Sequence, residues 1–202
     1  HNYGVDIYVS DETEQLLDTG GGIKRAASLF NQHQPVLIHN VDILSNVDLA
    51  AFYRHALETK ADALLLVSRR VTQRYLVFDS NMRLVGWTNV ATSEVKSPHA
   101  EIRELHFVSP TEAESSYFQN NCYLYAFSGV HVLASSAVKA VEAVDKDKFP
   151  IMEFYLNNCD TLDIRGELKT DLHLLDVGKL DSLQAAEDFI ANSEYQSSKT
   201  EN

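Results

Sequence analysis

No run of lysine or arginine marks this 202-residue chain, whose 29 acidic residues outnumber its 17 Lys and Arg to leave a net charge of −12. A nucleic-acid backbone would find no basic stripe to follow, so nucleic acid is not an expected partner. Cysteine is scarce: Cys122 and Cys159 stand alone, with no CxxC and no Cys/His metal spacing, and are expected to be reduced thiols. No apolar run is long enough to cross a bilayer, and the first residues lack the basic and apolar regions of a signal peptide. The expected location is therefore the cytoplasm, with no membrane partner. GxGxxG, the P-loop pattern, GxSxG and any repeat period are all missing, which removes the common nucleotide fingerprints and covalent serine chemistry. None of the eight histidines pairs with another at helical metal-ligand spacing, so His39 and His173 are read as core or strand-edge residues.

What is present is ample apolar patterning: 45% of residues are hydrophobic and 23% charged, enough for one globular domain over residues 1–192, followed by a polar tail at 193–202. Val5, Ile7 and Val9 alternate with polar neighbours and predict a strand from Gly4 to Ser10. A glycine loop at Gly20-Gly21-Gly22 then leads into a helix from Ile23 to Phe30. Val36 to Asn40 and Ala63 to Ser68 read as strands buried on both faces, with a helix from Asp48 to Thr59 between them, capped by Ser45 or Asn46. Strand, helix, strand, helix, strand predicts a mostly parallel, Rossmann-like α/β sheet flanked by helices. Beyond Arg70, Tyr75 to Asp79 and Leu84 to Thr88 flank a turn and predict an antiparallel hairpin, and residues 91–116 read as a long loop. Cys122 to Leu133 is strongly β. Helices are expected at Ser135 to Val144, Phe149 to Cys159 and Ser182 to Ala191, and strands at Ile164 to Glu167 and Leu172 to Val177.

Two groups of residues carry chemical interest. The three glycines remove side chains from a stretch of backbone ahead of a helix, where unpaired N–H groups and the helix dipole favour a planar or anionic ligand; a tight connection with nothing bound would use the same residues. Lys24 and Arg25 stand at the start of that helix, either to meet a phosphate or as solvated charges. Asp42 and Asp176 each end an apolar strand. Two carboxylates brought together there make a hard oxygen site for Mg²⁺, which takes one or two protein carboxylates plus substrate phosphates; capping the next helix is their plainer use. Tyr123, Tyr125 and Phe127 alternate along one strand and are assigned to packing.

Leu-Leu-Asp-Thr-Gly-Gly-Gly-Ile-Lys at 16–24, His-Asn-Val-Asp-Ile-Leu at 39–44, Tyr-Ala-Phe-Ser-Gly-Val-His-Val at 125–132 and Leu-Leu-Asp-Val-Gly-Lys at 174–179 together resemble the sugar-phosphate nucleotidyltransferases. The resemblance is to the mannose-1-phosphate guanylyltransferase and MurNAc-1-phosphate uridylyltransferase kinds, and it runs in order from Gly4 to about Ile190. It implies an enzyme in which a sugar 1-phosphate attacks the α-phosphate of a nucleoside triphosphate and pyrophosphate leaves, in the supply of cell-envelope polysaccharide precursors. It further implies Asp42 and Asp176 as the Mg²⁺ ligands and catalytic residues. Gly20, Gly21, Gly22 and Asn40 would lie on the nucleotide, and Ser128 and Gly129 on the sugar. Glu94 and Lys96 match the family's Glu-Lys pair with Val95 inserted, and Asn89 and Glu153 are further pocket candidates. Val41 replaces the family's usual glycine, and Lys179 a common threonine.

The GxGxR loop that grips the triphosphate in that family has no counterpart here, so a fragment is expected, shorter by about two βα units. Two other readings keep the same residues: a non-catalytic nucleotide- or sugar-phosphate-binding module, and a glycosyltransferase, for which Asn-Val-Asp is a poor DxD site. The expected result for the isolated polypeptide is nucleotide-sugar formation well below about 1 per second; a rate within the ordinary enzyme range of about 1–1,000 per second, read by pyrophosphate release, would overturn it.

Overall fold

The computed structural model describes residues 4–178 and 184–191. In chain order its elements are α1 (Asp18–Ala26), β1 (Val36–His39), β2 (Ile43–Ser45), α2 (Leu49–Thr59), β3 (Ala63–Ser68), β4 (Arg74–Phe78), β5 (Leu84–Asn89) and β6 (Glu94–Lys96). These are followed by α3 (Ala100–Arg103), β7 (Phe118–Gln119), β8 (Cys122–Leu133), α4 (Ser135–Glu142), α5 (Ile151–Asn158), β9 (Ile164–Leu168) and β10 (Leu174–Asp176). The segment 184–191 is helical as expected, whereas the tail at 193–202 lies outside the described residues. Among the described residues no helix is long and apolar enough to cross a membrane.

The fold is α/β, with one large sheet in the order β6-β5-β4-β8-β3-β9 and with β1 and β7 also attached to β8. Every residue of β3 is buried because both of its faces are covered. Leu65 and Val67 face a core formed with Ile23 of α1, Val138 of α4 and Phe154 of α5, while Leu64 and Leu66 meet Phe52 and Ala56 of α2. The expectation of a mostly parallel sheet holds for strand direction at this centre: β3 and β9 pair in parallel, and β1 runs the same way. It needs correction for strand neighbours, because β8 inserts antiparallel between β1 and β3. A β-α-β connection dictates parallel direction but leaves room for a later strand between the pair. The second half of the sheet is antiparallel as expected, with β4, β5 and β6 extending from the first half of β8.

Several local readings change. Gly4 to Ser10 is not a strand: Val5, Ile7 and Val9 are exposed, and an alternating pattern alone supplies no ladder partner. The glycines lie inside α1, whose continuation at Ala27–Leu29 tightens to a 3-10 turn. β1 ends at His39 and is only half-buried, as befits a strand paired on one edge. Asp48, rather than Ser45 or Asn46, caps α2 by accepting the Ala51 N–H at 2.9 Å. Residues 91–116 contain β6, α3 and a 3-10 turn at Glu114–Tyr117, pinned through Ile102 and Phe107 to a third apolar cluster. β10 leaves the main sheet and pairs with β2 in a separate ribbon.

Tyr123 and Tyr125 stack with ring centres 5.7 Å apart, which bears out their assignment to packing. Cys122 and Cys159 are free and buried. Deeper still, the ring of His131 is 1% exposed and shares a hydrogen bond between its Nδ1 and the Tyr155 hydroxyl. Burial pushes the His131 pKa down from 6.5 to about 3 and drives that of Tyr155 upward. Unfolded, this histidine binds a proton near 6.5; folded, it stays neutral to about 3. The unfolded chain thus holds the extra proton between those values, and His131 removes up to roughly 1.4 kcal/mol of stability for each pH unit of acidification in that window. Urea denaturation of the wild type and of His131→Gln at about pH 7 and about pH 5 should show the wild type losing roughly 2 kcal/mol more than the variant on acidification. Parallel losses would remove His131 as the cause.

Candidate functional site

The two aspartates meet through the small ribbon rather than at the ends of two central strands. After β1 the chain turns at Asn40, whose carbonyl accepts the Ile43 N–H at 3.2 Å, and Asp42 falls within that turn. β2 then pairs with β10, placing Asp176 opposite Ile43, and the Val177 N–H reaches the Asp42 carbonyl at 2.8 Å. Both carboxylates flank Gly178. A Cβ on that glycine would lie 3.2 Å from Asp176 Oδ1 and 3.3 Å from Asp42 Oδ2. Asp176 Oδ1 also accepts the Gly178 N–H at 3.0 Å. Helix capping is not the use of Asp42, because Asp48 fills that role for α2.

This corner fits Mg²⁺ on two grounds. Gly178 leaves the space between the carboxylates free of a side chain, and among the described residues neither aspartate is ion-paired with a lysine or arginine. No group of three or more His, Cys, Asp or Glu is placed to hold a metal among those residues. The donor set is therefore the sparse one with which Mg²⁺ leaves most positions to water and phosphate oxygens, rather than an all-protein cage.

Asn40 joins this corner to β8. Its N–H donates to the Gly129 carbonyl at 3.0 Å, and its amide packs on the Cα of Gly129, 3.1 Å from where a Cβ would stand. Gly129 has φ +75, open to glycine at little cost, because β8 bulges there. Leu65 pairs with His131 but Val67 with Phe127, so β8 carries two extra residues at this point. Ser128, on the bulge, is 2% exposed, and its Oγ has no hydrogen-bond partner among the described residues. The sequence candidates Asn40, Asp42, Ser128, Gly129 and Asp176 thus form one connected group.

A separate cavity of about 990 Å³ opens between β4, β5, β6 and α5, and Phe127 contributes to its wall one residue before the bulge. Of the sugar-side candidates, Lys96 and Glu153 line it. Glu94 reaches it through Lys96, with 3.1 Å between the charged groups, and Lys96 also sits 5.0 Å from the centre of the Trp87 ring. Glu153 is ion-paired with Lys146. Asn89 is not in the lining: its side chain closes a turn by accepting the Ala91 N–H at 3.1 Å. Sequence reasoning missed Arg70, Arg74, Arg103 and Trp87, which also line the cavity. They come from the β3–β4 connection, the start of β4, α3 and β5, and no spacing along the chain signals their convergence.

The glycine segment is corrected most. Gly20 and Gly21 are helical and buried, and both of their N–H groups donate to the Phe149 carbonyl, at 2.9 and 3.1 Å. The donors expected to face an anion are therefore occupied by protein. The Cα face of Gly20 lies against the Phe149 ring and that of Gly21 against the Asp147 backbone, while Gly22 faces the carboxylate of Glu12. Close helix packing explains these glycines. Lys24 is likewise not available to a phosphate: its ammonium donates to the Val144 carbonyl at 2.8 Å and pairs with Asp147 at 3.1 Å.

Compared with known proteins, the sequence matches no family model and no curated protein. Among solved structures it is similar to a putative glucose-1-phosphate thymidylyltransferase from Bacillus anthracis in complex with a sucrose, with a TM-score of 0.55 at 11% identity. The match covers 84% of this chain and 59% of that one, so the chain spans less than two thirds of the length of its structural neighbour. At this identity the likeness shows a shared fold.

The packing of α1 yields a test in which two principles disagree in sign. Helix propensity alone has Gly→Ala stabilising by about 1 kcal/mol. At Gly21 the new methyl would overlap the Asp147 carbonyl, backbone that cannot step aside, so Gly21→Ala should destabilise by roughly 1–3 kcal/mol. At Gly22 it would meet only the end of the Glu12 side chain, at 2.7 Å, and Gly22→Ala should be close to neutral. Denaturation of both variants decides between packing and propensity.

Proposed function

We propose that this chain carries the metal-side and sugar-side part of a nucleotidyl-transfer site, in which the phosphate of a sugar 1-phosphate attacks the α-phosphate of a nucleoside triphosphate to give an NDP-sugar and pyrophosphate. The observation that carries this reading is the meeting of Asp42 and Asp176 across Gly178, on a fold shared with a sugar-1-phosphate nucleotidyltransferase. Mg²⁺ held by the two carboxylates would neutralise phosphate charge and support in-line displacement at phosphorus.

The chain's own groups supply positioning. Asn40, clamped on Gly129, fixes the turn that presents Asp42. Ser128 Oγ, buried and without a hydrogen-bond partner among the described residues, follows Phe127 of the cavity wall along β8 and keeps hydrogen-bonding capacity for a sugar hydroxyl. Lys96, held by Glu94 and Trp87, offers a cation to the sugar-bound phosphate. No residue of the chain acts as a covalent nucleophile, so orientation and charge stabilisation carry the chemistry. The three glycines of α1 have no place on the nucleotide in this reading, since protein groups already occupy the N–H donors of Gly20 and Gly21 and face the Cα of all three.

Titration calorimetry with Mg²⁺ tests the metal corner without requiring turnover. Asp42→Asn and Asp176→Asn should each weaken uptake by about tenfold or more, since each removes one of two charged oxygen ligands. Pyrophosphate release from a panel of nucleoside triphosphates and sugar 1-phosphates, assayed on the longest protein that contains this sequence, then tests the reaction. Metal uptake unchanged by both substitutions would reject the site, and saturable sugar-phosphate binding without any pyrophosphate would favour the binding-module reading.

A further inference from the structure

The cavity beside the β8 bulge is more cationic than a sugar monophosphate requires. Arg70, Arg74, Lys96 and Arg103 line it, against a single carboxylate, Glu153, that Lys146 already neutralises. This concentration occurs in a chain whose net charge is −12. Lys96 has Glu94 as a counter-ion, but among the described residues none of the three arginines is ion-paired. Other cations of the same region are matched: Arg69, one residue before Arg70, is paired with Glu114. Arg103 is also fixed in place, since one guanidinium nitrogen donates to the carbonyls of Ser97 and Pro98, both at 2.9 Å. That anchor uses backbone oxygens and leaves its charge uncompensated.

Three unmatched guanidinium groups around one cavity repel one another until an anion enters, and their planar forks suit carboxylate or phosphate oxygens. The half-buried side chains of Trp87 and Phe127 supply apolar wall beside them. We infer that the sugar-side cavity selects a doubly anionic sugar: a hexose 1-phosphate that carries a second negative group, a carboxylate or another phosphate, on the ring. Lys96 serves the 1-phosphate and the arginines serve the second anion. This inference rests on the proposed function for the identity of the cavity as the sugar side, and its own content is the charge of the sugar.

The test uses the whole chain, with no nucleotide and no metal, so that failure of nucleotidyl transfer or of Mg²⁺ binding does not enter it. Glucose 1-phosphate, glucuronic acid 1-phosphate and glucose 1,6-bisphosphate are titrated calorimetrically into the wild type and into Arg70→Gln, Arg74→Gln and Arg103→Gln. The exposed positions of these arginines make the variants compatible with the fold, which thermal unfolding verifies. At least one doubly anionic sugar should bind tenfold or more tighter than glucose 1-phosphate, with a preference that weakens at higher salt and falls at least fivefold in one or more variants. The tighter of the two identifies the second anion as carboxylate or phosphate. Equal or stronger binding of glucose 1-phosphate, a preference untouched by all three substitutions, or no binding by any of the three sugars overturns the inference. If doubly anionic sugars bind as expected while no pyrophosphate is ever released, the cavity's selectivity stands and nucleotidyl transfer alone fails.

Discussion

Everything in this molecule is hung on β8. One 12-residue strand pairs with β1 through its second half, with β4 and β7 through its first, and with β3 on both sides of the bulge, so the two parts of the sheet share a single backbone. Its register against β3 shifts at Ser128 and Gly129, between the stretch held by β4 and the stretch held by β1. The bulge separates those two stretches and at the same time carries a buried hydroxyl without a hydrogen-bond partner among the described residues, sets a left-handed glycine against Asn40, and stands between the carboxylate corner and the cavity. Bulges recur beside functional sites for this reason: the residues they release from the ladder are free to be aimed elsewhere.

Where local pattern and burial agree, the sequence was readable. The unbroken apolar run of β3, the hairpin of β4 and β5 and the aromatic alternation of β8 appear as expected, because each element's character is decided by neighbours only a few residues away. The errors fall where a partner decides. Val5, Ile7 and Val9 have strand periodicity but no ladder. Gly20 to Gly22 have loop composition, yet the close approach of Phe149 and Asp147 makes a glycine-rich helix the compact solution. Intrinsic propensity is a weak guide when a tertiary contact requires the absence of a side chain.

The candidate site divides along the same line. Asp42 and Asp176 were singled out by resemblance, since strand-end carboxylates taken alone read more plainly as helix caps, and their meeting through the β2–β10 ribbon was not foreseeable from the sequence. Lys96 and Glu153 were found by resemblance. Arg70, Arg74 and Arg103 were invisible, because each is an ordinary surface arginine until the β3–β4 connection, the start of β4 and α3 bring them to one cavity. A net charge computed along the chain averages away this local excess of positive potential, and it is the local potential that an anion encounters.

The contacts between α1 and the start of α5 have a mechanical meaning beyond packing. The Leu17 carbonyl accepts the Phe149 N–H, the Phe149 carbonyl accepts two N–H groups from the glycine helix, and Thr19 Oγ accepts the Ile151 N–H at 3.0 Å. Four hydrogen bonds in both directions make a rigid splice between elements far apart in sequence. Met152 and Glu153, on the first turn of α5, form part of the cavity wall immediately beyond that splice. The glycines therefore act as a spacer of minimum thickness: they set how near α5 stands to the sheet, and so the width available to whatever enters the cavity, without touching it.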